Sequence, residues 1–492
     1  MWVDEAIWGH RFYDEQTPWL TFLEMLNVLV SEDKQGRGFK EPNGYNKLSY
    51  TPRRFLHLRN IVFNNPKLKK ILIENSNDEI RWQKWESQMA NQKSGVDEDS
   101  FTFVKSRFNS FEEFNWVIEL LRSSAIEGNS NKQFTSKFIF PYGPDCLYED
   151  LDERDFSPGR RFFARSGELA YLMLCRSTRS EDILEKIRPL IFDDEKPLNR
   201  MVKALHPGEE PYRDPHKHAY LPYADLPDYK ALADDMISLM NCGMPGYDVL
   251  PHLVSILGLH MLLYFLRRAR EHAEGASEVQ LICEIIAPKK TIVRELSIDS
   301  YQTNNLYSIA AIKRYIDAYT ETEDWQKMLS SDDRKQKAVQ LIKDQFAWEK
   351  EGDYDPESLI EALKEAAKVR HAQHPAKIHS AWARSLGLAS RRGTKSVRYA
   401  PTDSFLKSLV FTVVQNRMEY QTFLLQLYNR YGLIIGHHQA DIASLIGSKK
   451  GDMQAFKENS QRLEMRLVSL GLVKRLSDAC AYVINPYTAN TQ

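Results

Sequence analysis

The sequence predicts a mainly α protein with minor β: a multi-helical N-terminal and central body, followed by a C-terminal module of helices and a strand pair. Three observations carry that expectation. Apolar residues recur at three- and four-residue steps along most of the 492 residues. Runs rich in β-branched residues are short and few. Charge is unevenly distributed: residues 368–402 carry +8, residues 403–492 carry +3, and residues 1–367 carry −12, for a total of −1. A net charge this small gives the whole molecule no strong pull toward a polyanion, so any such attraction has to be local.

The N-terminal elements follow from periodicity and capping. TPWLTFLEMLNVLVSE opens with Thr17 as N-cap and Pro18 at the first helical position. Helices follow across 52–74, 78–91 and 110–124, the last reading FEEFNWVIELLRSS. The stretch 36–50 is a loop with an Asn43-Gly44 turn signal. In the central region FTSKFIFPYG (134–143) is β-like. GELAYLMLCRS, EDILEKIRPLIF, YKALADDMISLM and the apolar stretch 249–270 are helical. EVQLICEIIAP (278–288) and TIVRELSI (291–298), separated by Lys289-Lys290, predict a β-hairpin. NLYSIAAIKRYIDAY, RKQKAVQLIKDQFAWEKE and ESLIEALKEAAKVRHAQ return to helical spacing.

These patterns divide the chain into a helical domain at 1–130, a mainly helical central domain with a β-hairpin at 131–345, a helix and basic linker at 346–402, and a terminal module at 403–492. At this length about two to four domains are expected. The most apolar run, Val249 to Leu266, is interrupted by Pro251, His252, Ser255, Gly258 and His260. It predicts a buried core helix, and no membrane partner is expected. Five scattered cysteines with no CxxC pair predict reduced thiols, and the charged, aromatic N-terminus is unlike a signal peptide. Both point to the cytoplasm.

The terminal module is the most specific part of the chain. SFLKSLVFTVV and EYQTFLLQLYNRYG supply one long helix or a pair, with Gly432 as C-terminal cap. LIIG (433–436) is a short strand, and HQADIASLIG (438–447) a second helix with Ala440, Ile442, Ala443, Leu445 and Ile446 apolar. MQAFKENSQRLEMRLVSLGL (453–472) sets Met453, Phe456, Leu463, Leu467 and Leu470 on one side. LVKRLSD and AYVINP then alternate as two strands. This order, with a Leu-Gly-Leu step before the hairpin, resembles the winged helix-turn-helix family over about 80 residues. The resemblance implies a recognition helix at 453–472 that enters the major groove, with basic wing residues on phosphates. The candidate contacts are Lys449, Lys450, Lys457, Arg462, Arg466, Lys474 and Arg475.

The acid-free block at 368–402 contains Lys368, Arg370, Lys377, Arg384, Arg391, Arg392, Lys395 and Arg398, with His371, His374 and His379. ASRRGTKSVRYAPT within it has the composition of a loop. Arg391, Arg392, Lys395 and Arg398 read as a flexible phosphate-binding arm, with Tyr399 a candidate for base stacking and Trp382 a core residue.

Motifs for catalysis are sparse. There is no GxxxxGK[ST] loop, no Gly-x-Ser-x-Gly elbow and no HExxH, so no nucleotide cofactor or catalytic metal is expected. The loop 206–229 gathers His206, Glu209, Glu210, Asp214, His216 and His218, but in an irregular, proline-rich setting that fits a solvated surface better than a metal. Glu284, followed by Lys289 and Lys290, is the nearest approach to a nuclease of the restriction-type fold. Arg267 and His272 fit the Arg-x4-His spacing of helical ribonucleases resembling the HEPN family, although cations also favour helix C-termini for dipole reasons.

The sequence therefore predicts a non-enzymatic accessory or adaptor subunit that binds nucleic acid, expected to be double-stranded DNA, and a protein partner. ASRRGTKSVRYAPTDSFLKSLV, NRYGLIIG and RLEMRLVSLGLVKRLSDACAYVINPY resemble winged-helix components encoded beside ATPases or helicases in bacterial phage-defence operons. That resemblance implies an antiviral setting and an ATPase or helicase partner. The alternatives are a nuclease effector with its active site in the central body and a winged-helix protein-interaction scaffold.

Overall fold

Helices begin where a short polar side chain caps them. The Thr17 hydroxyl accepts from the Leu20 amide at the start of the helix Pro18–Asp33. Ser110, Thr291 and Thr402 do the same for the helices Phe111–Ser123, Ile292–Thr320 and Asp403–Val413. Each side-chain oxygen satisfies an amide that the first turn leaves without a partner. Gly275 and Gly432, both at positive φ, end the helices Leu250–Glu274 and Tyr420–Tyr431.

The computed structural model describes residues 2–41, 49–50, 56–65, 67–90, 98–127, 137–148, 164–208, 216–217, 220–392, 395–445, 453–477 and 480–488. The Asn43-Gly44 turn lies outside them. The fold is mainly helical with short strands. It divides into two compact units. One comprises Met1–Asp14, Arg176–Arg179 and Tyr220–Gln492; the other comprises Glu15–Cys175 and Ser180–Ala219.

The core of the first unit is the helix Leu250–Glu274, whose residues from Ile256 to Leu266 are all buried. It is apolar and long enough to cross a membrane, yet most of its length is buried inside the fold. Trp8 stacks on Phe265 with ring centres 4.9 Å apart, and its indole N–H donates to the Phe265 carbonyl at 3.0 Å. Each such buried side chain contributes roughly 1.5–3 kcal/mol. Polar groups in this core are joined across elements. Asp235 accepts from Tyr431 at 2.7 Å, pairs with His260 at 2.8 Å and with Arg430 at 3.0 Å.

The hairpin expected over 278–298 does not form. Thr291 caps a 29-residue helix, Ile292–Thr320, so TIVRELSI is its first turns. The capping hydroxyl and the continuing three- and four-residue spacing outweigh the local β-branched content. The preceding segment is extended, but its strand Leu281–Ile282 pairs in parallel with Leu433–Ile434 instead. Residues read from the sequence as central and as C-terminal thus share one unit.

At the C-terminal end the order is helix Asp403–Val413, strand Arg417–Glu419, helix Tyr420–Tyr431, strand Leu433–Ile434, and helices His437–Ile442 and Met453–Ser469. The strands Val473–Ser477 and Cys480–Ile484 follow. Cys480–Ile484 is the middle strand of a three-stranded antiparallel sheet, flanked by Val473–Ser477 and Arg417–Glu419.

In the second unit, Glu24 of the buried helix Pro18–Asp33 caps another helix. Its carboxylate accepts from the Arg165 amide at 2.9 Å, the Gly167 amide at 2.6 Å and the Gln16 side chain at 2.7 Å. Burial pushes Glu24 up to about 7 against these hydrogen bonds, which favour its charged form. The helices Asp78–Ala90 and Phe111–Ser123 are joined by edge-on contacts of Trp82 with Phe111 and of Trp85 with Phe114. The β-like FTSKFIFPYG contributes the strand Lys137–Phe138, paired antiparallel with Ile126–Glu127.

Gly432 tests the parallel pairing. Its φ is +71°, and a Cβ there would overlap the Val279 carbonyl oxygen, which is backbone and has nowhere to move. Gly432→Ala is expected to cost roughly 3 kcal/mol or more, from left-handed strain plus separation of the two strands. Denaturant midpoints measure it. A loss below about 1 kcal/mol would refute the close approach.

Candidate nucleic-acid interface

The acid-free block is ordered for most of its length. Residues 368–373 end the helix Pro356–Gln373, and 375–385 form the helix Pro375–Ser385. Ala389–Ser390 and Arg398–Tyr399 then pair antiparallel and bracket the segment carrying Arg391, Arg392 and Lys395. Among its described residues the block is therefore a helix pair followed by two short paired strands. Several of its cations already have partners. Arg370 pairs with Asp4 at 3.4 Å and covers the Trp2 ring, and Lys368 pairs with Glu365 at 3.2 Å. His374 bonds Asp14 at 2.9 Å.

Arg398 does not belong to the phosphate-binding set that the sequence suggests. It is 0% exposed and cannot reach a phosphate. Its Nε donates to Glu284, and its Nη2 donates to the Arg392 carbonyl at 2.9 Å. Tyr399 is buried too. Its hydroxyl accepts from Asn304 at 2.8 Å and pairs with His379 at 2.7 Å, so no base can stack on it. Trp382 is core, as the sequence suggests. Arg391, Arg392 and Lys395 remain exposed, with no acidic partner among the described residues.

Around this hairpin the extended segment 279–287 is held on both edges. Leu281 and Cys283 amides donate to Gly432 and Ile434 carbonyls, and the Glu284 amide donates to the Tyr399 carbonyl at 2.9 Å. Glu284 is completely buried between Arg398 and Arg294, whose Nε lies 2.9 Å away. A carboxylate held this way has no open position for a metal, and Lys289 and Lys290 are exposed beyond it. Asn459 completes the arrangement. Its side chain accepts from the Ile285 amide and donates to the Cys283 and Ile435 carbonyls. Sequence reasoning missed Arg294 and Asn459. For Asn459 the signal was present: it lies between Phe456 and Leu463 on the buried stripe of its helix.

The remaining candidates separate by partner. Lys457 and Lys474 are exposed without an ion pair among the described residues. Arg462 is half-buried, donating to the Ile285 carbonyl at 3.3 Å. Arg466 is tied to Asp403 at 2.6 Å and to the Pro401 carbonyl at 2.9 Å. Arg475 pairs with Glu464 at 2.6 Å. Lys449 and Lys450 lie outside the described residues.

The other motifs also resolve into structural contacts. Arg267 pairs with Asp228 at 2.7 Å, whereas His272 bonds Tyr223 at 3.0 Å, so the two do not converge. Burial lowers His272. His206 is buried against the Asp145 carbonyl at 3.0 Å, while Glu209, Glu210, Asp214 and His218 lie outside the described residues. No metal-binding group of His, Cys, Asp or Glu occurs among the described residues. No family model matches the chain, and no curated protein or solved structure shows significant similarity to it.

Two outcomes follow from this geometry. Glu284→Ala leaves two buried guanidinium groups without their carboxylate and should cost about 3–5 kcal/mol. Calorimetry reads that loss; a variant as stable as the parent contradicts the buried ion pairs. Burial also lowers His379 to about 3 and His371 to about 4. The unfolded chain takes up protons near the usual imidazole value of about 6.5, while the folded chain does not. Their contribution is therefore full above that value and declines as pH falls toward 4, by up to about 1.4 kcal/mol per pH unit and group. A double His371→Asn, His379→Asn variant should show a flatter acid limb of Tm against pH; an unchanged slope contradicts the assignment.

Proposed function

We propose that the chain is a non-enzymatic nucleic-acid-binding subunit, an adaptor that engages double-stranded DNA through the basic C-terminal end of its first unit. The observation that carries this reading is the hairpin bracketed by Ala389–Ser390 and Arg398–Tyr399. It presents Arg391, Arg392 and Lys395 to solvent without acidic partners among the described residues, on a base anchored by Arg398. Cations fixed on an ordered support lose less freedom on meeting phosphates than cations on a loose arm.

The C-terminal order of helices with a strand before a final hairpin supports a winged-helix reading of 403–492. In that reading Lys457 of the helix Met453–Ser469 and Lys474 of the hairpin face the duplex, while Arg462, Arg466 and Arg475 serve the fold. The wider setting we infer is a cytoplasmic multi-protein system of antiviral type, with an ATPase or helicase as partner. The same module also exposes Met465, Val468 and Leu476. These favour, as a second reading, a protein-interaction scaffold.

Fluorescence anisotropy with duplex DNA, single-stranded DNA and RNA across about 50–200 mM salt tests the proposal. Duplex binding that weakens with salt is expected. Replacing Arg391, Arg392 and Lys395 by Ala should lower the logarithmic salt slope by about 0.9 for each phosphate that is no longer neutralised. Binding to none of the three at low salt defeats the nucleic-acid reading and favours the scaffold. Binding with an unaltered slope in the triple variant removes the hairpin from the interface.

A further inference from the structure

The helix Pro375–Ser385 and the strand pair that follows it are joined by a fixed corner. Gly387, at positive φ, lies just past the end of the helix. Its amide donates to the Arg384 carbonyl at 3.1 Å, and the Leu388 amide donates to the Ala383 carbonyl at 2.9 Å. This pair of bonds is the Schellman arrangement, which sets the direction in which a chain leaves its helix. The Ala400 amide donates to the Leu388 carbonyl at 2.9 Å and the Thr402 amide to the Gly387 carbonyl at 2.8 Å, so the returning strand is tied to the same corner. Arg384, in the last turn of the helix, and Arg391, just past the strand Ala389–Ser390, therefore stand on one rigid frame.

Tyr301 of the helix Ile292–Thr320 fills the angle between the two elements. Its ring lies 4.5 Å from His379 of the helix and 5.3 Å from Tyr399 of the strand pair. Ala389 pairs with Tyr399, and Arg391, two residues further on, continues the same side of the chain. Burial raises the Tyr301 hydroxyl, and the charges that oppose this rise are Arg384 and Arg391. Two cations from different elements thus act on one hydroxyl. Both arginines are exposed. The Arg384 Nε donates to the Ser380 carbonyl at 3.0 Å, which leaves its two Nη groups without an acidic partner among the described residues. Two cations held near each other repel, and an anion between them replaces that repulsion with attraction. The planar guanidinium fork matches the oxygens of a phosphate, on which two such forks can converge.

We propose that Arg384 and Arg391 form a clamp on a single phosphate group. The clamp rests on the nucleic-acid reading for the source of that phosphate, the backbone of a strand lying over the hairpin, and it adds the helix Pro375–Ser385 to the face that meets it.

Fluorescence anisotropy of the full chain with duplex DNA tests the clamp, together with thermal melts in inorganic phosphate and in chloride at equal ionic strength. Arg384→Ala and Arg391→Ala should each weaken duplex binding by roughly 10-fold. Because both groups hold the same phosphate, the loss in the double variant should fall well short of the product of the two single losses. Its logarithmic salt slope should drop by no more than about 0.9, the share of one phosphate. Both side chains are exposed, so the Tm of each variant should match the parent in chloride, which separates loss of contact from loss of fold. Parent-like duplex binding in either single variant, or single losses that multiply in the double variant, overturns the clamp and leaves the nucleic-acid reading standing. A parent that binds no nucleic acid defeats that reading, and the melts then decide the clamp by themselves. A rise in Tm specific to phosphate and lost in Arg384→Ala upholds it with free phosphate as the ligand, and the lack of such a rise overturns it.

Discussion

The first unit depends on one buried extended segment, residues 279–287. A strand in the interior must satisfy amides and carbonyls on both edges, since each group left alone costs about 1–3 kcal/mol. One edge is met by the strand Leu433–Ile434 and by Asn459. The other is met by Ser300, which accepts from the Ile282 amide at 3.3 Å, and by the Tyr399 carbonyl. Asn304 adds a hydrogen bond to the Gln280 carbonyl at 3.0 Å. The partners come from residues far apart in sequence, so the segment fixes the long helix, the hairpin and the terminal helices around itself. Gly432 is needed because the chain leaving its helix passes directly over Val279.

Glu284 adds direction to this frame rather than net stability. Burying a carboxylate between two guanidinium groups costs several kcal/mol per ion before attraction offsets it. What the group supplies is orientation. Arg294 also donates to the Ala287 carbonyl at 2.7 Å, fixing the end of the extended segment against its own helix. Arg398 reaches back to Arg392, so the buried ion group continues directly into the exposed turn. The same arginine-rich run thus performs two jobs. Its last member is structural, and the three before it face solvent.

That division explains what was legible in the sequence. Helices with a capping Thr or Ser or with regular apolar spacing, such as Pro18–Asp33, Phe111–Ser123 and Met453–Ser469, follow from local chemistry. TIVRELSI misleads because its β-branched content is local, whereas its fate is set by Thr291 and by the helical spacing beyond it. The parallel strand pair is illegible because its members are about 150 positions apart. Arg398 could not be told from Arg391 or Arg392 by residue type. A cation's role depends on whether a carboxylate lies opposite, and Glu284 is 114 residues away. Nor do Arg462, Arg466 and Arg475 announce that backbone carbonyls and carboxylates already occupy them.

Removing the paired arginines changes the electrostatics of the proposed interface. A cation held by Asp403 or Glu464 contributes little net field, because the two charges largely cancel at the distance of a phosphate. The exposed, unpaired candidates among the described residues are Arg391, Arg392, Lys395, Lys457 and Lys474. Phosphate contacts from these five support binding that depends strongly on salt. An acidic remainder adds repulsion rather than help.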